Sequence, residues 1–115
     1  MDERLSKALE FSNFLETQNN QKRIFLTQYK EALIFYANGH KITVSQQLIS
    51  FCQSCVLSNK SNTWILDDNN IPMYVADLEQ FAHSIYKIYA DASKKYLDAY
   101  QTIKTQRSVQ GLVDL

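Results

Sequence analysis

Glycine and proline are scarce, with two glycines and one proline in 115 residues. So few breakers leave long elements uninterrupted, and helices use that freedom best. Two isolated glycines also exclude a glycine-rich phosphate loop. Two cysteines are too few for a disulfide framework and point to a reducing compartment. An excess of one charge is missing too, because twelve basic and twelve acidic residues cancel. A neutral chain lacks the field of a general polyanion binder, and little repulsion opposes its self-association. No apolar run is long enough to span a bilayer. The charged start, Met1-Asp2-Glu3-Arg4, lacks the apolar segment of a signal peptide. The expectation is one soluble domain over residues 1–115, with no cofactor, no nucleic-acid partner and no membrane contact.

What is present suits a globular chain: 45% hydrophobic and 21% charged residues, with seven Tyr and six Phe. Aromatic residues carry large contact area and are enriched at interfaces. From about Asp2 to Asn38 the spacing predicts one long helix. Leu5, Ala8, Ser12 and Leu15 recur every three or four residues, and Leu26, Tyr29, Leu33 and Tyr36 continue the register. Phe11, Phe14, Phe25 and Phe35 lie beside this stripe. The polar interval Thr17 to Arg23 holds neither glycine nor proline, so nothing forces a break. Gly39 follows as a helix C-cap. Lys41 to Val44 reads as a short strand, and Ser45 caps a second helix to about Ser58 with Leu48, Ile49, Cys52, Cys55 and Val56 inward.

Thr63 to Leu66 and Ile71 to Val75 predict two strands around the turn Asp67-Asp68-Asn69-Asn70, with Pro72 marking an edge. Asp77 caps a last helix, with Gln80 in the capping-box position. It is expected from about Leu78 to Thr105, with Leu78, Phe81, Ile85, Ile88, Ala92, Tyr96, Ala99 and Ile103 as its seam. Ser108 would start one more short turn. The fold class is therefore mainly α with a small β element (α+β). Two long antiparallel helices and one short helix accompany a β-hairpin or small three-stranded antiparallel sheet near the end where the helices connect.

Few residues carry a chemical signature. Cys52-Gln53-Ser54-Cys55 is a CxxC pair, but it falls inside a predicted helix among apolar residues, where cysteine behaves as a small hydrophobe. A zinc site needs four ligands, and His40 and His83 stand far from that pair in sequence. Asp67 to Asn70 lacks the central glycine and later glutamate of a calcium loop. Lys94, Lys95, Lys104 and Arg107 alternate with Asp91 and Asp98 as a solvated helix face does. No nucleophile has an evident base and orienting acid, so no catalytic residue and no metal site is assigned. The tyrosines remain. Tyr86, Tyr89, Tyr96 and Tyr100 ride on one broad side of the last helix, and Tyr29 and Tyr36 on the first. Two helices with only a small β-cap cannot hide so much aromatic surface, which makes these six the candidate interface.

The opening Leu5-Ser6-Lys7-Ala8-Leu9-Glu10-Phe11, the run Asn19-Asn20-Gln21-Lys22-Arg23 and the ending Arg107-Ser108-Val109-Gln110-Gly111-Leu112-Val113-Asp114-Leu115 carry a resemblance. Together they resemble the small accessory proteins of T-even-type tailed bacteriophages, especially the marine ones. The half from Trp64 through Asp68 to Leu115 also resembles a short helical domain at the ends of phage tail-fibre and related proteins. The resemblance implies a non-enzymatic role in morphogenesis, as virion component, scaffold-core protein or head or tail assembly factor. Its partners would be a second copy and other phage structural proteins, in the host cytoplasm during assembly or in the virion. The alternative is a small host-takeover protein that binds and inhibits one host protein.

Overall fold

The computed structural model describes the backbone of residues 2–113 and the side chains of residues 2–106. In chain order the elements are α1 (Glu3–Ala32), β1 (Ile34–Ala37), β2 (His40–Thr43), α2 (Gln46–Leu57), β3 (Thr63–Leu66), β4 (Pro72–Val75) and α3 (Leu78–Val113). The fold is mainly α with a small β element, the class the sequence predicts. The chain divides into two compact units, one from Tyr29 to Lys94 and one that joins α1 up to Gln28 with α3 from Lys95.

The central unit begins with a departure from the sequence reading. α1 ends at Ala32 rather than Asn38, and Tyr36 lies on a strand. β1 pairs antiparallel with β2, Phe35 opposite Ile42 and Tyr36 opposite Lys41. Asn38 (φ 50°) and Gly39 (φ 79°) form the two-residue turn between them. Positive φ at both positions is what a tight hairpin demands, and Asn-Gly supplies it at least cost. Nothing lies within 4 Å of a Cβ built on Gly39, so the backbone angle and not space selects glycine. The helical spacing of Leu33 and Tyr36 was real, but it lost to β-rich flanks around a turn.

α2 follows the local signals closely. The Ser45 Oγ accepts from the Leu48 N–H at 3.1 Å, which caps the first turn. At the other end Asn59 takes φ 62°. Its N–H reaches Val56 O at 3.0 Å, and the Lys60 N–H reaches Cys55 O at 3.0 Å. That pair of bonds is a Schellman stop.

β3 and β4 pair with Trp64 opposite Tyr74 and Ile65 opposite Met73. Their turn fastens this hairpin to the first. Asp67 Oδ1 accepts from the Asn69 N–H at 2.9 Å and the Ile71 N–H at 2.8 Å. His40 Nδ1–H donates to Asp67 Oδ2 at 2.7 Å. Asp68 takes the outer edge of β2: its N–H donates to Lys41 O at 2.9 Å, and its carboxylate accepts from Thr43 N–H at 2.9 Å and Thr43 Oγ1 at 2.7 Å. A third strand would have used those same edge groups. The β element is therefore two separate two-stranded sheets and not one three-stranded sheet.

Under the hairpins lies the core. Ile42, Val44, Ile49, Cys52, Ile65, Met73 and Val75 pack with Leu78, Ala82, Ile85 and Ala92 of α3. Each large apolar side chain so buried contributes roughly 2 kcal/mol. Asp77 caps α3 by accepting from the Gln80 N–H at 3.1 Å. The seam expected for this helix is observed, with Leu78, Ile85, Ala92 and Ile103 buried and Phe81, Ile88, Tyr96 and Ala99 half-buried. α3 continues past Thr105 to Val113, so Ser108 starts no separate turn. One interior glycine costs only about 1 kcal/mol against alanine and does not end a helix.

In the second unit α1 and α3 run antiparallel. The Gln18 amide donates from Nε2 to Ile103 O at 3.1 Å. Four residues on, Lys22 Nζ stands 5.4 Å from the centroid of the Tyr100 ring, three residues back on α3. The helix passes through Thr17 to Arg23 without interruption. The inward line is Leu15, Gln18, Lys22 and Phe25, of which Gln18 is 3% exposed and the others half-buried. The stripe expected inward is instead turned by one position, leaving Leu5, Ala8, Ser12 and Leu26 exposed.

The Asp67 carboxyl is held below its ordinary range, first by the His40 hydrogen bond and then by the Ile71 and Asn69 N–H groups, against the opposing effect of burial. A carboxyl with a depressed folded pKa stabilises fully above its unfolded value, and loses that contribution as pH falls through the folded one. Asp67→Asn should therefore lower the urea midpoint at pH 6–7, and the gap to wild type should close as pH falls below about 4. A gap constant from pH 7 to pH 3 would contradict this role.

Candidate interaction surfaces

The residues with chemical potential are absorbed by structure. Cys52 and Cys55 are free and buried in the middle of α2. Burial, and secondarily Cys55, pushes the Cys52 thiol up to about 11. At pH 8 about one molecule in a thousand would then carry the reactive thiolate. Cβ atoms one helical turn apart stand about 5–6 Å from each other, beyond the roughly 3.5–4.5 Å of a disulfide. His40 is engaged by Asp67, and His83 is exposed on α3. Among the described residues no three His, Cys, Asp or Glu side chains gather to hold a metal ion. Lys94, Lys95 and Lys104 are exposed beside Asp91 and Asp98, as a solvated face requires, while the Arg107 side chain lies outside the described residues. No described helix is long and apolar enough to cross a membrane.

The six tyrosines have different surroundings. Tyr29 and Tyr89 are half-buried against the central core. The Tyr89 hydroxyl also accepts from Gln46 Nε2 at 2.8 Å, which ties α3 to α2. Tyr36 projects from β1 with 71% of its surface exposed. Tyr86 is exposed farther round α3, off the seam. Tyr96 and Tyr100 belong to the helix pair, their ring centroids 6.3 Å apart. Helical spacing placed Tyr86, Tyr89, Tyr96 and Tyr100 on one broad flank, and their exposure along it differs: Tyr89 and Tyr96 are half-buried, Tyr86 and Tyr100 exposed.

The helix pair itself has two unlike faces. Lys22 over Tyr100 identifies the sides of α1 and α3 that lie together. On that side, by helical spacing, α1 carries Leu5, Ala8, Ser12, Asn19 and Leu26, and α3 carries Leu97 and Tyr100. All seven are exposed, and the larger ones are between 38% and 52% open to solvent. The opposite side shows Asp98, Thr102 and Thr105 from α3 with Phe11 and the half-buried Phe14 from α1. Between the helices only Gln18 and Ile103 are buried among the described side chains, and Gln18 Oε1 has no hydrogen-bond donor. Among the described residues of the pair, Leu5, Leu26, Leu97 and Tyr100 remain more than a third exposed.

A second exposed face went unread in the sequence. The outer side of the β3–β4 hairpin presents Trp64 and Leu66, each about 60% exposed, with Ile71, Pro72 and Tyr74 beside them. The Trp64 and Tyr74 rings lie 5.2 Å apart across the strands. The available signal was the missing alternation. Trp64-Ile65-Leu66 and Pro72-Met73-Tyr74-Val75 are apolar on both faces, whereas a one-sided hairpin alternates with polar residues. A shallow cleft of about 280 Å³ opens between β1, β4 and the start of α3, lined by Phe35, Ala37, Met73, Val75 and Phe81 with Asp77 and Gln80.

The burial of both cysteines has a direct consequence. At pH 8 neither Cys52 nor Cys55 should react with an aromatic disulfide reagent within minutes, and both should react at once in denaturant. Fast labelling of the folded protein would return the CxxC pair to candidacy as a reactive site.

No protein family, curated protein or solved structure matches the chain.

Proposed function

We propose that this chain is a non-enzymatic structural or assembly protein that works by self-association and helix-mediated contact. The observation that carries this reading is the side of the helix pair that leaves Leu5, Leu26, Leu97 and Tyr100 exposed, with only Gln18 and Ile103 buried among the described side chains of the pair. A helix pair gains most of its stability from packing and little from propensity. An exposed apolar side therefore supplies a driving force for a further helical layer. The resemblance to T-even-type phage accessory proteins supplies the setting: head or tail morphogenesis in the host cytoplasm, with a second copy and other particle proteins as partners. Neutral net charge suits this role and disfavours nucleic acid.

The outer face of the β3–β4 hairpin favours a second reading, that of a host-takeover protein. Trp64, Leu66 and Tyr74 form a compact aromatic patch on a hairpin anchored by Asp67 and Asp68. Such a patch suits one well-fitted heterologous partner.

Solution mass by light scattering over a wide concentration range tests the first reading. A discrete oligomer that persists on dilution is expected. Leu26→Glu and Tyr100→Glu should each weaken it by at least about 30-fold, from the roughly 2 kcal/mol that burial of such a side chain provides. A strict monomer that captures one host protein stoichiometrically, and loses it with Trp64→Ala, would establish the second reading instead.

A further inference from the structure

The exposed side of α1 has an internal pattern beyond its apolarity. Leu5, Ser12, Asn19 and Leu26 recur every seven residues, and Ala8, Leu15 and Lys22 fall between them at spacings of three and four. This is a complete heptad stripe. It neighbours the inward line and shares Leu15 and Lys22 with it, and its outer half, Leu5, Ser12, Asn19 and Leu26, is exposed among the described residues. Glu16 and Arg23 stand on the rim of the stripe farther from α3, exposed and seven residues apart.

From these positions we infer that α1 pairs with α1 of a second copy, antiparallel about a two-fold axis at the level of Asn19 and Asn20. The inference rests on the self-association reading and adds to it the direction and register of the contact. A two-fold at that level sets Glu16 of each copy against Arg23 of the other, so two opposite-charge rim pairs form by symmetry. A parallel pair sets neither against an opposite charge. Asn19 falls at the centre of the stripe, between the apolar Leu5, Ala8, Leu15 and Leu26 and beside the polar Ser12 and Lys22, and a polar residue at such a position selects register at some cost in stability. The level also agrees on the second helix. Gln18 and Lys22 face Ile103 and Tyr100, so residues 19 and 20 correspond to about residue 102. The same axis then brings Tyr100 of one copy to Lys104 of the other, a cation over an aromatic ring.

The size is adequate. From Leu5 to Leu26 the stripe runs about 30 Å at 1.5 Å per residue. Two helices packed about 8–10 Å apart make a face about 20 Å wide. Such a pair of faces buries roughly 1,200 Å² in total, at the lower edge of specific interfaces. The other occupant to consider is an unrelated helix, but only a second copy supplies both halves of the Glu16–Arg23 exchange.

Cysteine cross-linking of the full chain tests the register. Ser12→Cys mixed with Leu26→Cys should form a disulfide-linked mixed dimer under mild oxidation, while either variant alone should not. The wild-type chain, with Cys52 and Cys55 buried, is the background control. Charge exchange supplies a second readout. Glu16→Lys and Arg23→Glu should each raise the dimer dissociation constant about 5-fold or more, and the double variant should recover most of the loss. Cross-links between like variants, or single charge variants without effect, would overturn the antiparallel register while leaving self-association intact. A wild-type chain that is monomeric at every concentration would overturn both.

Discussion

One turn organises the central unit. Asp67 closes its own loop by accepting from Asn69 and Ile71, and receives His40 from the first hairpin. Asp68 satisfies the edge of β2 that would otherwise recruit a third strand. Two-stranded hairpins are marginal by themselves. Joined through these carboxylates, they hold Ile42, Ile65 and Met73 in one layer that covers α2 and the first half of α3. An acidic turn that invites a metal reading is thus consumed by structure, its oxygens already paired with donors.

The two units differ in how they are held. The central unit concentrates nearly all the buried apolar side chains, including Val44, Cys52, Leu78 and Ile85 at under 2% exposure. Among the described residues, the helix pair buries Ile103 and Gln18. Gln18 contributes one hydrogen bond and leaves Oε1 without a donor, and a half-satisfied buried amide stabilises less than an apolar side chain of its size. Local stability should follow this division, with the helix pair opening far more readily than the core. Any partner that binds the folded pair adds to its stability by mass action. Association and ordering of that unit are therefore linked.

The residues with a chemical signature have structural surroundings. The CxxC pair is helix core, and burial pushes the Cys52 thiol up. His40 hydrogen-bonds Asp67, and His83 lies on an exposed helix face. What is left open is apolar: one side of the helix pair, and the outer side of the β3–β4 hairpin. Both are made of side chains that a solitary protein gains nothing by exposing.

The amino-acid sequence by itself determined the local stops and starts. Ser45, Asp77 and the Asp67–Asn70 turn were legible because caps and turns are built from neighbours within a few residues. The seam of α3 was legible too, since its apolar residues repeat on one face from Leu78 to Ile103 and no adjacent face competes. Where two readings shared the same residues, only the tertiary structure decided. Residues 33–37 suit a helix by spacing and a strand by composition, and the pairing of Phe35 with Ile42 across Asn38-Gly39 tipped the balance. On α1, Leu15 and Lys22 belong to two overlapping stripes, and the side facing inward was set by Ile103 and Tyr100 opposite. The outward face of β3–β4 was likewise invisible, because a strand apolar on both sides does not say which side the core will take. Tertiary contacts are non-local, and a pattern along the chain names the faces without naming what will cover them.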